Sequence, residues 1–494
     1  MKKYKFLIFF FTIAIQLFAQ DKEPSQLHGF LYDQTSLEPL MYANVYVMNS
    51  GTGVITNEQG QYALDISSFG RNDSIYFQYM GYQSKGFTIS DLMTSPTVYL
   101  EENIINISET LIFGRELDPQ KIVQNVLENA DSNYHSHYSS REVFVRERYD
   151  SDLLRLKLNY KKSTISDIDQ KAIALLEQKI PRHSTSYTDF LGDMLWSPNN
   201  SDSLRTKINP KRVVSLKDKD ITEMDHIVKV FEDVVEDTDS LEYWKVKTGI
   251  IGGKVHLDRG DTTLDLQEDE QEVRSFARSL YYDFNDHQFD NEKMWDFLYK
   301  PSRYSFTLVG GTRLNDEDIY IIDFSPKSKG KFEGRLYITL SSYALLRADF
   351  QYAEGKQGRT FSMMGISYAE KEYKVSVYFE KLDADYQLKY FSYKALTTFG
   401  IDRKLSLLKK RKRPFFDKTL LELKGGLDMQ VSSQSSFEFL VLSHDRISEK
   451  EYLNFEENKK MKVIYVNQFD DSLWQGYDIL EPTKQMREYK KNRY

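Results

Sequence analysis

The residues with the most distinctive chemistry form a basic run near position 410. Five consecutive cations are followed by a proline and two phenylalanines. Clustered cations attract anionic head groups, lipopolysaccharide phosphates or acidic glycans, and neighbouring aromatic side chains can anchor in the apolar part of such a surface. Charge runs also form plain exposed turns between strands, so both interpretations stay open. The candidate binding residues are Lys409, Lys410, Arg411, Lys412, Arg413, Phe415 and Phe416.

Motifs for hydrolytic chemistry are missing or incomplete. None of the eight histidines lies in an H-E-x-x-H motif, and the closest pair, His135 and His137, lies in a polar run that favours a solvated loop over a metal site. G-x-S-x-G is absent, and an S-x-x-K match at residues 406–409 lacks the K-T-G and S-D-N motifs that accompany it in enzymes. Without cysteine, thiolate sites and cysteine nucleophiles are excluded. The sequence therefore names no catalytic residue, no cofactor and no metal site.

The N-terminus has the pattern of a secretory signal peptide. Three lysines precede an apolar run from Phe6 to Ile15, which is shorter than the roughly 20 residues that span a bilayer. We predict cleavage near Ala19 or Gln20, and an uncleaved anchor is the alternative. No later stretch has 18 uninterrupted apolar residues, so we expect no transmembrane helix in the mature chain. The expected location is the periplasm or the outer membrane.

Length and charge narrow the class of protein further. At 494 residues the chain can bury a sizeable core in about three domains. Its 66 basic and 74 acidic residues give a net charge of −8, whereas dedicated nucleic-acid binders are usually basic. Tyrosine and phenylalanine are abundant and suit pleated sheets. The composition therefore indicates a β-rich protein that does not bind nucleic acid.

The pattern of residues 27–103 predicts a small β-sandwich. Short segments of alternating apolar residues are separated by turn residues at close spacing. Gly60 and Gly81 are expected to supply turns with positive φ rather than a phosphate-binding loop. The predicted strands cover residues 28–33, 43–47, 61–66, 74–80, 86–89 and 97–100.

This first module resembles the carboxypeptidase regulatory-like domain. The resemblance lies in Gly29-x-Leu31-x-Asp33, in Glu38-Pro39-Leu40 with Ala43-Asn44-Val45, in Gly53-x-x-Thr56-x-x-x-Gly60-x-Tyr62 and in Tyr79-Met80-Gly81-Tyr82. It implies a transthyretin-like sandwich, also described as a carbohydrate-binding-like fold, of the kind found in Gram-negative envelopes. A structural or docking role is implied rather than peptidase activity, because the catalytic residues of such peptidases lie in another domain.

Three helices are predicted after the first module. Asp118 and Pro119 are a good N-cap and a good first helical residue, a second helix is expected from Ser166 to Pro181, and the third covers residues 224–235. Each carries apolar residues at helical spacing that we expect to face the core. The stripes are Ile122, Val123, Val126, Leu127 and Ala130, then Ile168, Ala172, Leu175, Leu176 and Ile180, then Ile227, Val228, Phe231, Val234 and Val235.

From Ser305 onward the apolar period changes to two. At least six alternating segments predict an antiparallel meander with one apolar face, which the upstream helices would cover. The arrangement resembles the curled half-barrel of periplasmic lipoprotein carriers. The body as a whole is similar to an uncharacterised β-rich envelope family, through YWKVKTGI at 243–250 and through Phe469-x-x-x-Leu473-Trp474-x-Gly476-Tyr477 with Glu481-Pro482.

The predicted fold class is mainly β with some α. It divides into a signal peptide at 1–20, a sandwich at 27–103, a mixed region at 104–300 and an antiparallel β-rich domain at 301–494. The favoured function is a non-enzymatic envelope protein whose β-rich body binds a ligand or partner, such as an outer-membrane protein, a lipid or a glycan. Two alternatives stay open, a hydrolase with dispersed catalytic residues and a structural assembly subunit of the outer membrane.

Overall fold

The computed structural model divides the chain into two compact units. One contains residues 1–104 and 474–484, and the other contains residues 105–473 and 485–494. The structure describes residues 26–50, 52–105, 118–166, 168–198, 206–216, 241–248, 251–255, 270–289, 291–314, 317–474, 477 and 479–489. The predicted signal peptide and the third predicted helix lie outside these ranges.

The first unit is a two-sheet sandwich, as the sequence predicts. One sheet has the order β4-β1-β7 and the other has the order β3-β2-β5-β6. Alternate residues of each strand, such as Leu31, Val45 and Phe77, point into a common core. The strands are β1 (Gln26–Asp33), β2 (Asn44–Val47), β3 (Gly53–Ile55), β4 (Gln61–Asp65), β5 (Ser74–Gln78), β6 (Lys85–Thr88) and β7 (Thr97–Leu100), with helix α1 (Ile89–Thr94) before β7.

Two glycines make the turns that the sequence assigns to them. Gly60 has φ of 71° and Gly81 has φ of 88°, which is the left-handed region that glycine enters without a steric penalty. A Cβ at Gly60 would also lie 2.4 Å from the carbonyl oxygen of Leu31. The prediction of positive φ at both positions is confirmed.

Among the residues that the structure describes, the second unit is built on one large sheet of fourteen strands. Its main path runs β14-β15-β16-β17-β19-β20-β21-β8-β9-β10-β23, while β11, β12 and β18 pair beside it. Every pairing on this path is antiparallel except the one between β10 and β23. The sheet is therefore open, with β14 and β23 at its ends, and the predicted class of mainly β with some α is confirmed.

The strands of this unit differ widely in length. The longest are β8 (Ser139–Ser163), β20 (Asp385–Arg411) and β21 (Lys418–Arg446). The others are β9 (His183–Trp196), β10 (Thr206–Leu216), β11 (Glu242–Thr248), β12 (Ile251–Val255), β13 (Glu270–Glu272), β14 (Tyr304–Leu314), β15 (Glu317–Pro326), β16 (Phe332–Thr339), β17 (Leu345–Tyr352), β18 (Thr360–Met363), β19 (Ile366–Leu382), β22 (Lys460–Lys462) and β23 (Ile464–Val466).

Short helices cover part of the sheet. They are α2 (Pro119–Glu128), α3 (Ala130–Asn133), α4 (Gln170–Lys179), α5 (Val273–Asp286), α6 (Asp296–Tyr299), α7 (Glu449–Asn454) and α8 (Lys484–Arg487), with 3₁₀ turns at Pro301–Arg303 and Asp471–Trp474. On α5, Phe284 packs 5.5 Å from Phe439 of β21 and 4.9 Å from Trp196 of β9, between ring centroids. This aromatic layer is the core between α5 and the sheet.

The helix predictions have different outcomes. Helix α2 starts after Asp118, whose carboxylate caps it, and buries Ile122, Val123 and Val126 as predicted. Helix α4 starts at Gln170 instead of Ser166, because the Asp169 carboxylate accepts from the amide of Ala172. None of the residues of α4 is buried, and of the predicted stripe only Ile168, which precedes the helix, is buried. The prediction that the stripe is a core face is therefore wrong for the helix.

Candidate functional site

The basic run lies at the tip of the longest hairpin. Strands β20 and β21 pair from Tyr390 opposite Leu440 out to Arg411 opposite Lys418, and residues 412–417 connect them. Phe415 is 91% exposed and Phe416 is 88% exposed. Two adjacent phenylalanines this exposed are unusual, because burial of each aromatic side chain would be favourable.

The structure separates the five cations into different environments. Lys409 is 5% exposed, and its Nζ lies 3.4 Å from the carboxylate of Glu242 on β11. A buried and paired ammonium cannot bind an external anion, so Lys409 is removed from the predicted set. Lys410 and Arg411 are half-buried at the end of β20, whereas Lys412 and Arg413 are exposed. We call Lys410, Arg411, Lys412, Arg413, Phe415 and Phe416 the tip cluster.

The base of the tip is held by β11, which pairs with β20. The hydroxyl of Tyr243 donates to the carboxylate of Asp417 at 2.5 Å, and this hydrogen bond raises the pKa of Tyr243. Trp244 is buried opposite Lys409. The exposed phenylalanines therefore project from an anchored turn.

The long strands have two halves that differ in burial. The near half comprises residues 387–395 of β20 and 435–441 of β21, and the far half comprises residues 396–411 and 418–434. Most side chains of the far half are half-buried. Beside it, Phe361 pairs with Tyr368, and Tyr368 pairs with Phe399, with exposed fractions of 46%, 37% and 39%. The far half thus presents aromatic groups to solvent.

The two histidines of the polar loop bind one carboxylate. His135 Nδ1 lies 2.7 Å from Asp385 Oδ1, His137 Nε2 lies 2.9 Å from Asp385 Oδ2, and Arg446 donates to Oδ2 at 2.7 Å. Burial alone would raise the pKa of Asp385, but the hydrogen bonds from the histidines hold it below its ordinary value. Within the described residues, no three histidine, cysteine or carboxylate side chains converge as metal ligands.

Sequence reasoning missed an acidic site at the C-terminal end of α5. Burial and the nearby charge of Glu147 raise the pKa of Asp283 to about 7, and burial also raises the pKa of Glu147. The hydroxyl of Tyr393 donates to Asp283 at 3.4 Å. With a pKa near 7, Asp283 can accept or donate a proton near neutral pH. No motif could have shown this, because Glu147 and Asp283 meet only in the folded chain.

His287 lies directly after α5 and contacts Asp283 of this acidic site. Its ring stacks on Phe391 with 3.8 Å between centroids, and burial lowers its pKa to about 4. The imidazole is therefore neutral at pH 7, and Nδ1 donates to the carbonyl oxygen of Asp283 at 2.6 Å. This hydrogen bond closes the C-terminal end of α5, and the stacking of His287 on Phe391 of β20 holds that end against the sheet.

In the part of the chain that the structure describes, no helix combines the length and the apolar character needed to cross a bilayer. A comparison with curated proteins finds no sequence match.

Several solved structures align with the chain at low similarity. MucB in complex with MucA is 9% identical over 64% of this chain and 94% of that chain, with a TM-score of 0.19. A LolA superfamily protein from Nitrosomonas europaea is 9% identical over 69% and 99%, with a TM-score of 0.16. The MucA/MucB complex of Pseudomonas aeruginosa is 8% identical over 64% and 93%, with a TM-score of 0.16. These scores are too low to support an argument about fold or function.

The N-terminal module has a sequence match. Residues 27–112 match the family model of the CarboxypepD_reg-like domain. The match contains the seven strands of the sandwich except Gln26, the first residue of β1, and it contains both turn glycines, Gly60 and Gly81. The first part of this chain is therefore similar to the CarboxypepD_reg-like domain, which confirms the resemblance predicted from its sequence.

Proposed function

We propose that this protein is an exported, non-enzymatic envelope protein that docks on an anionic lipid surface through the tip cluster. The observation that carries the proposal is the exposure of Phe415 and Phe416, at 91% and 88%, directly beside four cations. Each cation near an anionic leaflet contributes about 1 kcal/mol. Insertion of two aromatic rings adds an apolar contribution that a purely electrostatic contact would lack.

Charge complementarity favours lipid head groups as the partner of this surface. The whole chain has a net charge of −8, so it is not attracted to an anionic membrane at long range. Only a molecule that approaches with the tip cluster forward is attracted to the membrane. In this proposal the tip cluster contacts the lipid, and the CarboxypepD_reg-like module has the separate structural or docking role that its resemblance implies. A protein or a glycan partner would need the same exposed groups and becomes an outcome of the test.

Cosedimentation with lipid vesicles tests the proposal. The full chain should sediment with phosphatidylglycerol vesicles and not with phosphatidylcholine vesicles. Binding should weaken as salt shortens the screening length toward about 8 Å. Lys412→Ser/Arg413→Ser should reduce binding at low salt, and Phe415→Ser/Phe416→Ser should reduce the binding that persists at high salt.

The control variant Lys450→Ser/Lys459→Ser removes two exposed lysines outside the tip cluster. It changes the net charge as Lys412→Ser/Arg413→Ser does and should bind as the unchanged protein does. If the unchanged protein fails to sediment with phosphatidylglycerol vesicles at low salt, the proposal is wrong. Equal losses in the control and the tip variant would show that only total charge matters, which also contradicts docking through the tip.

A second candidate function is hydrolysis at the acidic site of α5. The pKa of about 7 for Asp283, beside Glu147, favours it, because a carboxyl group of this pKa can act as a general acid. The test is a screen of the purified chain against nitrophenyl glycosides and esters. Hydrolysis at this site is supported if an activity is found and if Asp283→Asn removes the titration near pH 7 from its pH profile. An activity that the substitution leaves unchanged would contradict it.

A further inference from the structure

Arg141 of β8 is a buried cation with unpaired donors. Its side chain is in a residue that is 3% exposed, and Nε and Nη1 have no hydrogen-bond partner among the described residues. Nη2 donates to the side-chain oxygen of Gln387 at 3.3 Å, and the guanidinium lies 5.2 Å from the centre of the Phe284 ring. Burial lowers the pKa of Arg141 to about 9, so the group is still charged at pH 7. A buried charge with unpaired donors is costly, so a partner for Nε and Nη1 is expected.

The carboxylates at this end of the sheet are engaged by other cations. Glu142, the next residue of β8, points to the opposite face and accepts from Lys211 at 2.8 Å. Asp385 is held by the two histidines of the polar loop and by Arg446. In the part of the chain that the structure describes, no carboxylate forms an ion pair with Arg141. The counter-charge of Arg141 is therefore not a side chain of this region.

Two further unpaired polar groups lie on the same face as Arg141. His444 of β21 is directly opposite Arg141 in register, which places their Cβ atoms about 5 Å apart. Ser139 lies two residues away on β8 and therefore projects to the same face. His444 Nε2 and Ser139 Oγ are both enclosed and have no hydrogen-bond partner among the described residues. This is the face that α5 covers, because Arg141 lies over Phe284 of α5.

The charge and the donors of this group fit one small anion. Burial and the charge of Arg141, with smaller effects of other nearby cations, lower the pKa of His444 to about 4, so its imidazole is neutral at pH 7. A neutral imidazole and a hydroxyl can each donate one hydrogen to an anion. Arg141 supplies a single positive charge, and an anion of more than one charge would leave a buried charge uncompensated. Because the donor atoms are enclosed, a small inorganic ion fits better than an organic one.

We infer that Arg141, Ser139 and His444 form a binding site for a small monovalent inorganic anion, such as chloride, beneath α5. We call these three residues the anion site. The inference goes beyond the proposed function, because the anion site shares no residue with the tip cluster or with the acidic site. An anion held here neutralises Arg141 and joins β8 to β21, two strands from distant parts of the chain.

Thermal melting of the full chain at constant ionic strength is the first test. Replacing sodium gluconate by sodium chloride should raise the melting temperature along a saturating curve, because an ion that binds only the folded state stabilises it by mass action. Arg141→Met removes the charge and keeps an unbranched side chain, and it should abolish this rise. The control Arg182→Met removes an exposed arginine outside the anion site and should retain it.

Bromide locates the ion directly, because it has the chemistry of chloride and scatters X-rays anomalously. Crystals of the unchanged protein grown in sodium bromide should show an anomalous peak beside Nε or Nη1 of Arg141, and this measurement does not depend on the folding of a variant. The inference is overturned if no such peak appears, as when a water molecule occupies the position. It is also overturned if chloride does not change the melting temperature, or if the folded Arg141→Met protein responds to chloride as the unchanged protein does.

Discussion

The near half and the far half belong to the same two strands, but only the near half is covered. Phe391, Phe437 and Phe439 of the near half are at most 3% exposed beneath α5, with Phe391 stacked 4.9 Å from Phe439. Phe399, on the same side of β20 eight residues further along, is 39% exposed. Alternation of apolar residues therefore specifies a strand and its faces, whereas burial depends on a helix supplied from elsewhere in the chain.

The largest expected difference between the halves comes from a matched pair of truncations. Phe391→Ala removes a fully buried ring and should lower the free energy of unfolding by about 3–5 kcal/mol. Phe399→Ala removes a partly exposed ring from the same face of the same strand, and we expect a loss below about 1 kcal/mol. Urea denaturation of the full chain measures both losses. Equal losses would contradict the comparison, because the far half would then be packed as tightly as the near half.

Ion pairs provide a second test of the difference between the near half and the far half. Beside the near half, Arg146 of β8 lies opposite Glu438 of β21 and donates twice to buried Asp189 at 2.8 Å. In the far half, Arg155 donates to Asp428 at 2.7 Å, with a half-exposed guanidinium. Asp189→Asn removes the carboxylate charge that two hydrogen bonds hold against a buried guanidinium and should destabilise the protein by about 3–5 kcal/mol.

Asp428→Asn in the far half should cost less than about 1 kcal/mol, because water replaces the lost partner. The losses are again measured by urea denaturation. Added salt should reduce the small loss at Asp428 and leave the loss at Asp189 nearly unchanged, since buried pairs are screened less. A loss at Asp428 as large as that at Asp189 would show that the far half is not open to solvent.

The smallest expected effect is the pH dependence of stability that Asp283 of α5, packed on the near half, causes. Its pKa is raised from an ordinary 3.8 to about 7, so the folded state binds a proton more tightly than the unfolded state does. Stability should therefore fall as pH rises from about 4 to about 7. Asp283→Asn should be more stable than the unchanged protein at pH 8 by about 1–2 kcal/mol, after discounting for its partial exposure.

Thermal melting at pH 4 and pH 8 measures this difference. The advantage of Asp283→Asn should shrink at pH 4, because the unchanged carboxyl group is then protonated in the folded state and carries no buried charge. If the two proteins melt alike at pH 8, the pKa of Asp283 is not raised in the folded chain. The acidic site would then lose its support as a place for proton transfer.

Sequence reasoning is strongest where a strand is specified by its own alternation and by the turns that flank it. The strands of the first module and the meander after Ser305 follow from local alternation and turn residues. It is weakest where the partner is distant. The sequence predicts Lys409 to be part of a solvated run of cations, and its partner Glu242 becomes its neighbour only in the folded chain. Likewise, the loop around His135 reads as polar, and its carboxylate partner Asp385 lies 250 positions away.

The pairing of β8 with β21 has a consequence for how the chain reaches this fold. Tyr149 lies opposite Ser435, so the centre of the large sheet joins segments almost 300 residues apart. Such non-local pairings raise the contact order, and proteins rich in them fold slowly. One edge of β8 can pair early with β9, but the other must wait until residues 418–446 are available to pair. Unpaired strand edges promote aggregation during this interval, and we therefore expect the unfinished chain to depend on holdase chaperones for longer than a protein of the same size with only local pairings.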